Sequence, residues 1–277
     1  MPLFAIPFPA FDPIVLSVGP FAIRWYALAY IGGILGAWWL ARRLAGNQRL
    51  WGGASPMKPA DVDDVITWCA LGIVLGGRLG YVLFYGKTYF LEHPAEIFML
   101  WHGGMSFHGG FIGTILALLL YARSHKISML SMLDLGAVVT PIGLFLGRIA
   151  NFINGELWGR VTDVPWAIIF PHAGPDGRHP SQLYEAVLEG VVLFLIGIIA
   201  VRMGALKRPG LVGGLFVFCY GLARIVSEHF REPDAQLGFL AGGLTMGMLL
   251  SIPMLIAGGT AIVCALRAEP RQDPRKA

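Results

Sequence analysis

Charged residues are scarce in this sequence. Only 14% of its 277 residues are charged, whereas a soluble domain typically carries about 25%. Hydrophobic residues make up 56% and the mean hydropathy is +0.64. This composition excludes an ordinary soluble domain and predicts an all-α integral membrane protein.

Cysteine pairs and the common catalytic motifs are also lacking. Cys69, Cys219 and Cys264 each lie in an apolar run without metal or redox spacing, so we interpret them as small buried residues. The motifs HExxH, GxxxxGK[ST], GxGxxG and GxSxG do not occur, and no histidine pair has zinc-ligand spacing. The sequence therefore predicts no metal, and a thiol used in any reaction would belong to the substrate.

Basic residues are few and form no continuous patch. The net charge is +4, and the Lys and Arg residues lie in short loops, so we predict no nucleic-acid partner. The chain has no Lys or Arg before Arg24. It lacks the basic n-region of a cleaved signal peptide, and the first apolar segment is expected to be retained.

Long apolar runs are what the sequence does contain. We predict seven transmembrane helices, each of roughly 20 residues or more, at 14–41, 61–86, 106–122, 131–152, 183–201, 211–229 and 237–266. Thirteen of the 21 Lys and Arg residues lie in the loops 42–60, 123–130 and 202–210 and the tail 267–277, and four lie in the opposite loops. Because basic loops stay cytoplasmic, we expect an outside N-terminus, a cytoplasmic tail and a single transmembrane domain over 1–277.

Two outer loops are longer than simple connections. Loop 87–105 contains PAEIFMLWHGG, which predicts a short interfacial helix. Loop 153–182, between the fourth and fifth helices, has about thirty residues, and a loop of this length is usually functional or disordered. Its apolar stretch Trp166 to Phe170 argues for order.

Small residues recur four positions apart within the predicted helices. The pairs and triplets include Gly32 and Gly36, Gly72, Gly76 and Gly80, Gly109 and Gly113, and Gly143 and Gly147. Such spacing lets membrane helices approach closely. It predicts tight helix contacts and says little about chemistry.

The segment GRIANFINGELWGR (147–160) is unusually polar for its position after an apolar run. A charge such as Arg148 at mid-bilayer costs at least about 2.5–3.5 kcal/mol, so intramembrane charges usually mark a function. Arg148 and Asn151 share one helix face, and Tyr220, Arg224 and Glu228 form a stripe on another. The predicted topology brings them, with Tyr26, Arg78 and His108, to one outward-facing pocket with three arginines.

Each of these residues also has a structural interpretation. Arg224 could be neutralised by Glu228 one turn on, and Arg78 could bind carbonyl groups or lipid headgroups. His108 and Tyr26 could pack at interfaces, and Asn151 and Asn154 could cap a helix end. Arginines without an acidic excess instead suggest an anionic ligand, and the guanidinium fork suits phosphate. In an outward membrane pocket the nearest abundant phosphate belongs to a phospholipid.

Several stretches together resemble one enzyme family, the prolipoprotein diacylglyceryl transferases. The matching stretches, spread over most of the chain, are IRWYALAY (23–30), GGRLGYVLFY (76–85), GGMSFHGGFIG (103–113), GRIANFINGELWGR (147–160), RHPSQLYEA (178–186) and YGLARIVSEHFREPD (220–234). The block 147–160 is the most specific of them.

The resemblance implies a reaction and its site. In the family, the diacylglyceryl group of phosphatidylglycerol moves to the lipobox cysteine thiol in a prolipoprotein signal peptide, which gives a thioether and glycerol 1-phosphate without a cofactor. The resemblance also implies that the protein lies in the bacterial inner membrane, with its site on the periplasmic side. The essential positions that carry over are His108, Arg148, Asn151, Gly159 and Arg224; Tyr26, Glu156, Tyr220 and Glu228 carry over as supporting ones.

The residue chemistry suits that reaction. A thiol is mostly protonated at neutral pH, and a neutral histidine could accept its proton. We therefore assign His108 as the base, Arg148 and Arg224 as a phosphate clamp, and Asn151 as the group that orients them. A competing assignment makes Glu156 or Glu228 the base. An alternative function, a transporter or lipid-binding protein, would hold the same anion without reaction, but no internal repeat supports it.

Overall fold

Helices dominate the computed structural model, which describes residues 5–9, 11–19, 21–233, 238, 240 and 243–271. The helices are α1 Trp25–Gly46, α2 Pro59–Phe84, α3 Lys87–Glu92, α4 Phe107–Ser124, α5 Met129–Ile153, α6 Ser181–Glu185, α7 Leu193–Arg202, α8 Leu211–Glu228 and α9 Met246–Arg267. A π-helical segment, Ala186–Val192, joins α6 to α7. The short strands are β1 Ile6–Pro7, β2 Ile14–Val18, β3 Phe21–Arg24 and β4 Ile168–Ile169.

Five helical segments of the described chain are long and apolar enough to cross a membrane. They are Pro59–Phe84, Met129–Ile153, Ser181–Arg202, Leu211–Glu228 and Met246–Arg267. The prediction of a mostly helical chain with membrane-spanning potential is thus confirmed. Helix α1 has 22 residues, but its tryptophans, tyrosines and two arginines make it less apolar than these five.

The start of the first predicted span is wrong. Residues 14–18 and 21–24 pair as the antiparallel strands β2 and β3, and the helix begins only at Trp25. The hairpin is rich in β-branched and aromatic residues, which favour strands. It is fixed at its base, where the Asp12 carboxylate accepts a hydrogen bond from the Ile14 amide at 2.8 Å. At the start of the last predicted span, residues 238, 240 and 243–245 are likewise not part of α9. Residues 237, 239, 241 and 242 lie outside the described residues.

The two outer loops are ordered, but not as one helix. The segment predicted as an interfacial helix forms two 3-10 turns, Pro94–Phe98 and Leu100–His102. Met99, with φ −85° and ψ 73°, separates the two turns, and the positive φ of Gly103 ends the second. In the second loop β4 pairs in parallel with β1, so the beginning of the described chain is tied to this loop.

Glycines bring α2 and α4 into close contact, as their spacing predicts. A Cβ added to Gly113 would lie 2.0 Å from the Gly72 carbonyl oxygen, and one added to Gly109 would lie 2.2 Å from that of Gly76. Helix α1 approaches α5 similarly, since a Cβ on Gly33 would meet the Gly143 Cα at 3.1 Å. Backbone contact of this kind replaces side-chain interdigitation in these helix pairs.

The largest buried apolar cluster lies where α1, α4 and α7 end and α2, α5 and α8 begin. Trp51, Tyr121 and Leu206 are fully buried there. The Asp134 carboxylate accepts hydrogen bonds from the Gly210 and Gly213 amides, both at 2.7 Å, and so caps the start of α8. The polar residues singled out in α5 and α8 lie at the opposite ends of these helices.

We expect Gly113→Ala to destabilise the protein by about 1–3 kcal/mol, because the new methyl group has no room against the α2 backbone. Gly110→Ala is the matched control, since its Cβ would lie 3.5 Å from the nearest atom. Thermal unfolding in detergent measures both variants. Equal melting temperatures for the two variants would contradict the tight α2–α4 contact.

Candidate active site

Three arginines and three glutamates form one buried ion-pair network. Arg148 on α5 contacts Glu185 and Glu189, each at 3.2 Å. Arg224 on α8 contacts Glu185 at 2.6 Å and also pairs with Glu228 one turn further along. Arg231 is the third arginine of the network. The formal charges of its three arginines and three glutamates cancel. An excess of one sign would be costly at this burial.

Arg231 joins the network from the segment after α8. Its guanidinium lies 3.0 Å from Glu185 Oε1. Glu185 therefore receives three guanidinium groups, from Arg148, Arg224 and Arg231. A single carboxylate shared by three cations fixes the relative positions of three chain segments.

Two of the three carboxylates lie deeper than the arginines. Glu185 and Glu189 are 0% exposed, whereas the side chains of Arg148 and Arg224 are each 17% exposed. A guanidinium group has five N–H donors, and the ion pairs engage both terminal nitrogens of Arg148 and of Arg224 without using all of these donors. The remaining donors are available to a ligand on the exposed side.

The π-helical segment and one glycine bring the glutamates to α5. Glu185 ends α6, and Glu189 lies within Ala186–Val192. A Cβ on Gly190 would lie 2.6 Å from the Phe145 Cβ, so only glycine permits this approach. π-Helical turns often occur at functional sites.

The end of α5 folds back on itself through a Schellman motif. The Gly155 amide donates to the Phe152 carbonyl at 2.9 Å and the Glu156 amide to the Asn151 carbonyl at 3.1 Å. Gly155 has the positive φ that this motif requires. The turn brings the Glu156 carboxylate back to Asn151, whose Nδ2 donates to it at 2.8 Å.

Gly159 has a packing role. A Cβ there would lie 2.4 Å from the Phe230 carbonyl oxygen and 2.7 Å from His179. The close approach lets Gly159 pair with Arg231 in an isolated β-bridge, while Arg160 donates to the carbonyls of Glu228 and Arg231 at 2.9 Å. These contacts hold the backbone from which Arg231 reaches the network.

Two cavities meet at Arg148. The first, of about 690 Å³ and called the site cavity here, is lined by His108, Arg148, Tyr220, Arg224 and Arg231, with α9 on its far side. The second, of about 440 Å³, lies between α1 and α5 and is lined by Tyr26, Arg148 and Asn151 among apolar residues. The structure thus brings together most of the residues predicted for the pocket, in two adjoining spaces.

The predicted position of Arg78 is wrong. Its guanidinium does not line either cavity and instead donates to carbonyl groups of the outer segment 96–104, including those of Ile97 at 2.8 Å and Gly103 at 2.5 Å. At 6% exposure it has little surface left for a ligand. Arg78 therefore stabilises the outer loop, which was its structural alternative, and Arg231 takes its place as the third arginine.

Sequence reasoning missed Glu185 and Glu189, which pair with Arg148 and Arg224. Both glutamates lie within the apolar run 183–201, where a charged residue usually marks a function, as it does for Arg148.

The histidine His179 adds no positive charge to this region. Burial lowers the pKa of His179, so its ring is neutral near pH 7. Among the described residues, no three His, Cys, Asp or Glu side chains are arranged to hold a metal ion.

Comparisons with known proteins agree with one another. The family model described as prolipoprotein diacylglyceryl transferase matches residues 13–264. A phosphatidylglycerol–prolipoprotein diacylglyceryl transferase from Rhodopseudomonas palustris is 61% identical over 96% of this chain and 94% of its own length. Proteins of the same name from Bradyrhizobium diazoefficiens (61% identity, 96% of each chain) and Rhodospirillum rubrum (58%, 98% of each chain) are similarly close.

We expect Glu185→Gln to lower the stability of the protein by about 3–5 kcal/mol, as does removal of one partner from a buried ion-pair network. The amide cannot balance three guanidinium charges. Glu232→Gln is the control, since Glu232 is 47% exposed and contacts Arg178 at the surface, where pairs contribute at most about 1 kcal/mol. Thermal unfolding measures the stability of both variants. Equal stability would mean that the network does not depend on Glu185.

Proposed function

The chain belongs to the prolipoprotein diacylglyceryl transferase family, and from this membership we propose that it transfers the diacylglyceryl group of phosphatidylglycerol to prolipoproteins. The acceptor is the lipobox cysteine thiol of the signal peptide. The products are a thioether-linked lipid and glycerol 1-phosphate, in the first step of lipoprotein maturation. The observation that carries the proposal is the cavity in which His108, Arg148 and Arg224 meet.

We propose seven membrane crossings, with the N-terminus outside and the site facing the periplasmic side of the inner membrane. The five apolar segments, together with α1 and α4, supply seven helices of at least 18 residues within the described part of the chain. The uneven distribution of Lys and Arg supports the orientation. The whole of 1–277 then serves as one transmembrane domain.

Arg148 and Arg224 form the phosphate clamp in this proposal. Both line the site cavity, and both are held from behind by Glu185 and Glu189. Preorganised donors of this kind stabilise charge as it develops on a leaving group. Arg231 extends the clamp, and Tyr220 lines the same cavity.

His108 is the proposed base, in preference to the two glutamates. The Glu228 carboxylate is paired with Arg224, and Glu156 Oε1 accepts from Asn151 and Asn154 at 2.8 and 3.4 Å. His108 lines the site cavity together with these arginines and Glu228. Asn151, held by Glu156, orients the substrates from the adjoining cavity together with Tyr26.

The reaction balances with these groups alone. His108 takes the proton of the cysteine thiol, and the thiolate forms a bond to the glyceryl carbon next to the phosphodiester oxygen. The carbon–oxygen bond breaks, and its electron pair stays on the phosphate that leaves as glycerol 1-phosphate. Arg148 and Arg224 meet the charge that this oxygen gains.

An assay of the purified protein in detergent, with phosphatidylglycerol and a lipobox peptide as substrates, tests the activity directly. Release of glycerol 1-phosphate together with a lipidated peptide is the expected result. Binding of phosphatidylglycerol without release would instead indicate a lipid-binding protein or transporter.

We expect Arg148→Lys to reduce turnover about 10²-fold or more, because a point charge cannot replace the bidentate guanidinium group at the leaving phosphate. Arg202→Lys is the matched control, since Arg202 is exposed at the end of α7. Glycerol 1-phosphate release is measured for both. Turnover of the Arg148 variant equal to that of the control would remove Arg148 from the clamp.

We expect His108→Gln to lower turnover about 10²-fold or more, the usual contribution of a general base, and to leave phosphatidylglycerol affinity nearly unchanged. His172→Gln, at an exposed position in the outer loop, is the control. Turnover and lipid binding are measured separately. A collapse of lipid affinity with the His108 change would show that this histidine binds the headgroup.

A further inference from the structure

The cavity between α1 and α5 continues into a second apolar cavity at the other end of the molecule. This second cavity has a volume of about 340 Å³ and includes Trp38, Met57, Ile66 and Cys69 in its lining. The two share Ile34, Ala37 and Val139. The two cavities therefore adjoin, and together they are called the long groove here, which begins beside Arg148.

The long groove spans most of the thickness of a bilayer. On α5 its lining extends from Asn151 to Met132, about 28 Å at the rise of an α-helix. On α1 it extends from Tyr26 to Ala41, about 22 Å. The hydrocarbon core of a membrane is about 30 Å thick.

Three glycines of α5 leave the long groove open. A Cβ added to Gly136, Gly143 or Gly147 would meet no atom within 4 Å. Glycine weakens a helix relative to alanine, and no described neighbour uses the space that these glycines leave. Tyr30 and Ile34, on the facing side of α1, are 60% and 52% exposed, so the groove also opens sideways.

We propose that the long groove binds the apolar h-region of the prolipoprotein signal peptide. This inference rests on the proposed function, which supplies the peptide. An h-region of 7–15 residues is about 10–22 Å long as a helix, which fits the groove. An acyl chain of an outer-leaflet lipid reaches only to the middle of the bilayer, about 15 Å, and would leave the far half empty.

The two ends of the groove suit the two ends of such a peptide. The lipobox cysteine follows the h-region and would lie beside Arg148 and Asn151, next to the site cavity. At the far end Trp38 Nε1 donates to the Asp63 carboxylate at 2.5 Å, which also pairs with Arg42. Asp64 on the same helix turn is exposed and accepts a hydrogen bond from the Tyr121 hydroxyl at 3.4 Å. Its carboxylate would meet the basic n-region of a signal peptide.

Gly136→Leu tests the groove by kinetics, because the new side chain would enter the far half of the space, about 18 Å along α5 from Arg148. We expect KM for a full-length signal peptide to rise about fivefold or more, with phosphatidylglycerol affinity unchanged. A short peptide with the lipobox but no h-region should react equally with variant and wild type. Gly259→Leu on α9, outside both cavities, is the matched control.

An unchanged KM for the full-length peptide would overturn the proposal, as would an equal loss with the short peptide. In either case wild-type protein would still release glycerol 1-phosphate, so the proposed function would stand. Absence of release from wild type would contradict the function itself.

Photocrosslinking identifies the occupant. A photoreactive residue at Ile66 is combined with a full-length signal peptide that carries serine in place of the lipobox cysteine, in vesicles containing labelled phosphatidylglycerol. A crosslink to the peptide supports the proposal. A crosslink to the lipid alone assigns the groove to an acyl chain and overturns it, and so does the absence of any crosslink at that position.

Discussion

The shared carboxylate of Glu185 is the interaction on which the site depends. It fixes Arg148, Arg224 and Arg231, which come from α5, α8 and the segment after α8. Guanidinium groups in a low-dielectric setting repel one another unless anions separate them. The buried glutamates therefore allow several cations to face one cavity, and this arrangement supports the proposed grip on a lipid phosphate.

Much of the helical pattern could be predicted, because apolar runs and glycine spacing are local properties. The helix boundaries in the middle of the chain agree within two residues, and the α2–α4 contact has the glycines that the spacing indicated. The hairpin 14–24 was not predicted, since its residues are as apolar as those of a membrane helix. Hydropathy alone does not separate the two.

The site could be predicted only in part, again because sequence patterns report local properties. Arg148 and Arg224 were found because isolated charges in apolar runs stand out, and they do share a cavity. Arg78 was predicted to line the pocket because of its position along the second helix. The partners of a side chain also depend on the direction in which it leaves the helix, which that position alone does not give. Glu185 and Glu189 can be seen in the sequence as charged residues within the predicted span 183–201. Their role depends on the approach of α6 and the π-helical segment to α5, which only the three-dimensional structure shows.

The pairing of Gly159 with Arg231 limits how this part of the chain can change in length. One extra residue between Gly155 and Gly159 would shift that pairing by one position and place a side chain where Gly159 now packs against Phe230 and His179. The exposed tip at 171–176 lies beyond the bridges that Arg178 makes with Val161 and Ile168. Insertions at the tip leave those bridges in register, so relatives can lengthen the outer loop there at little cost to the arginines beneath it.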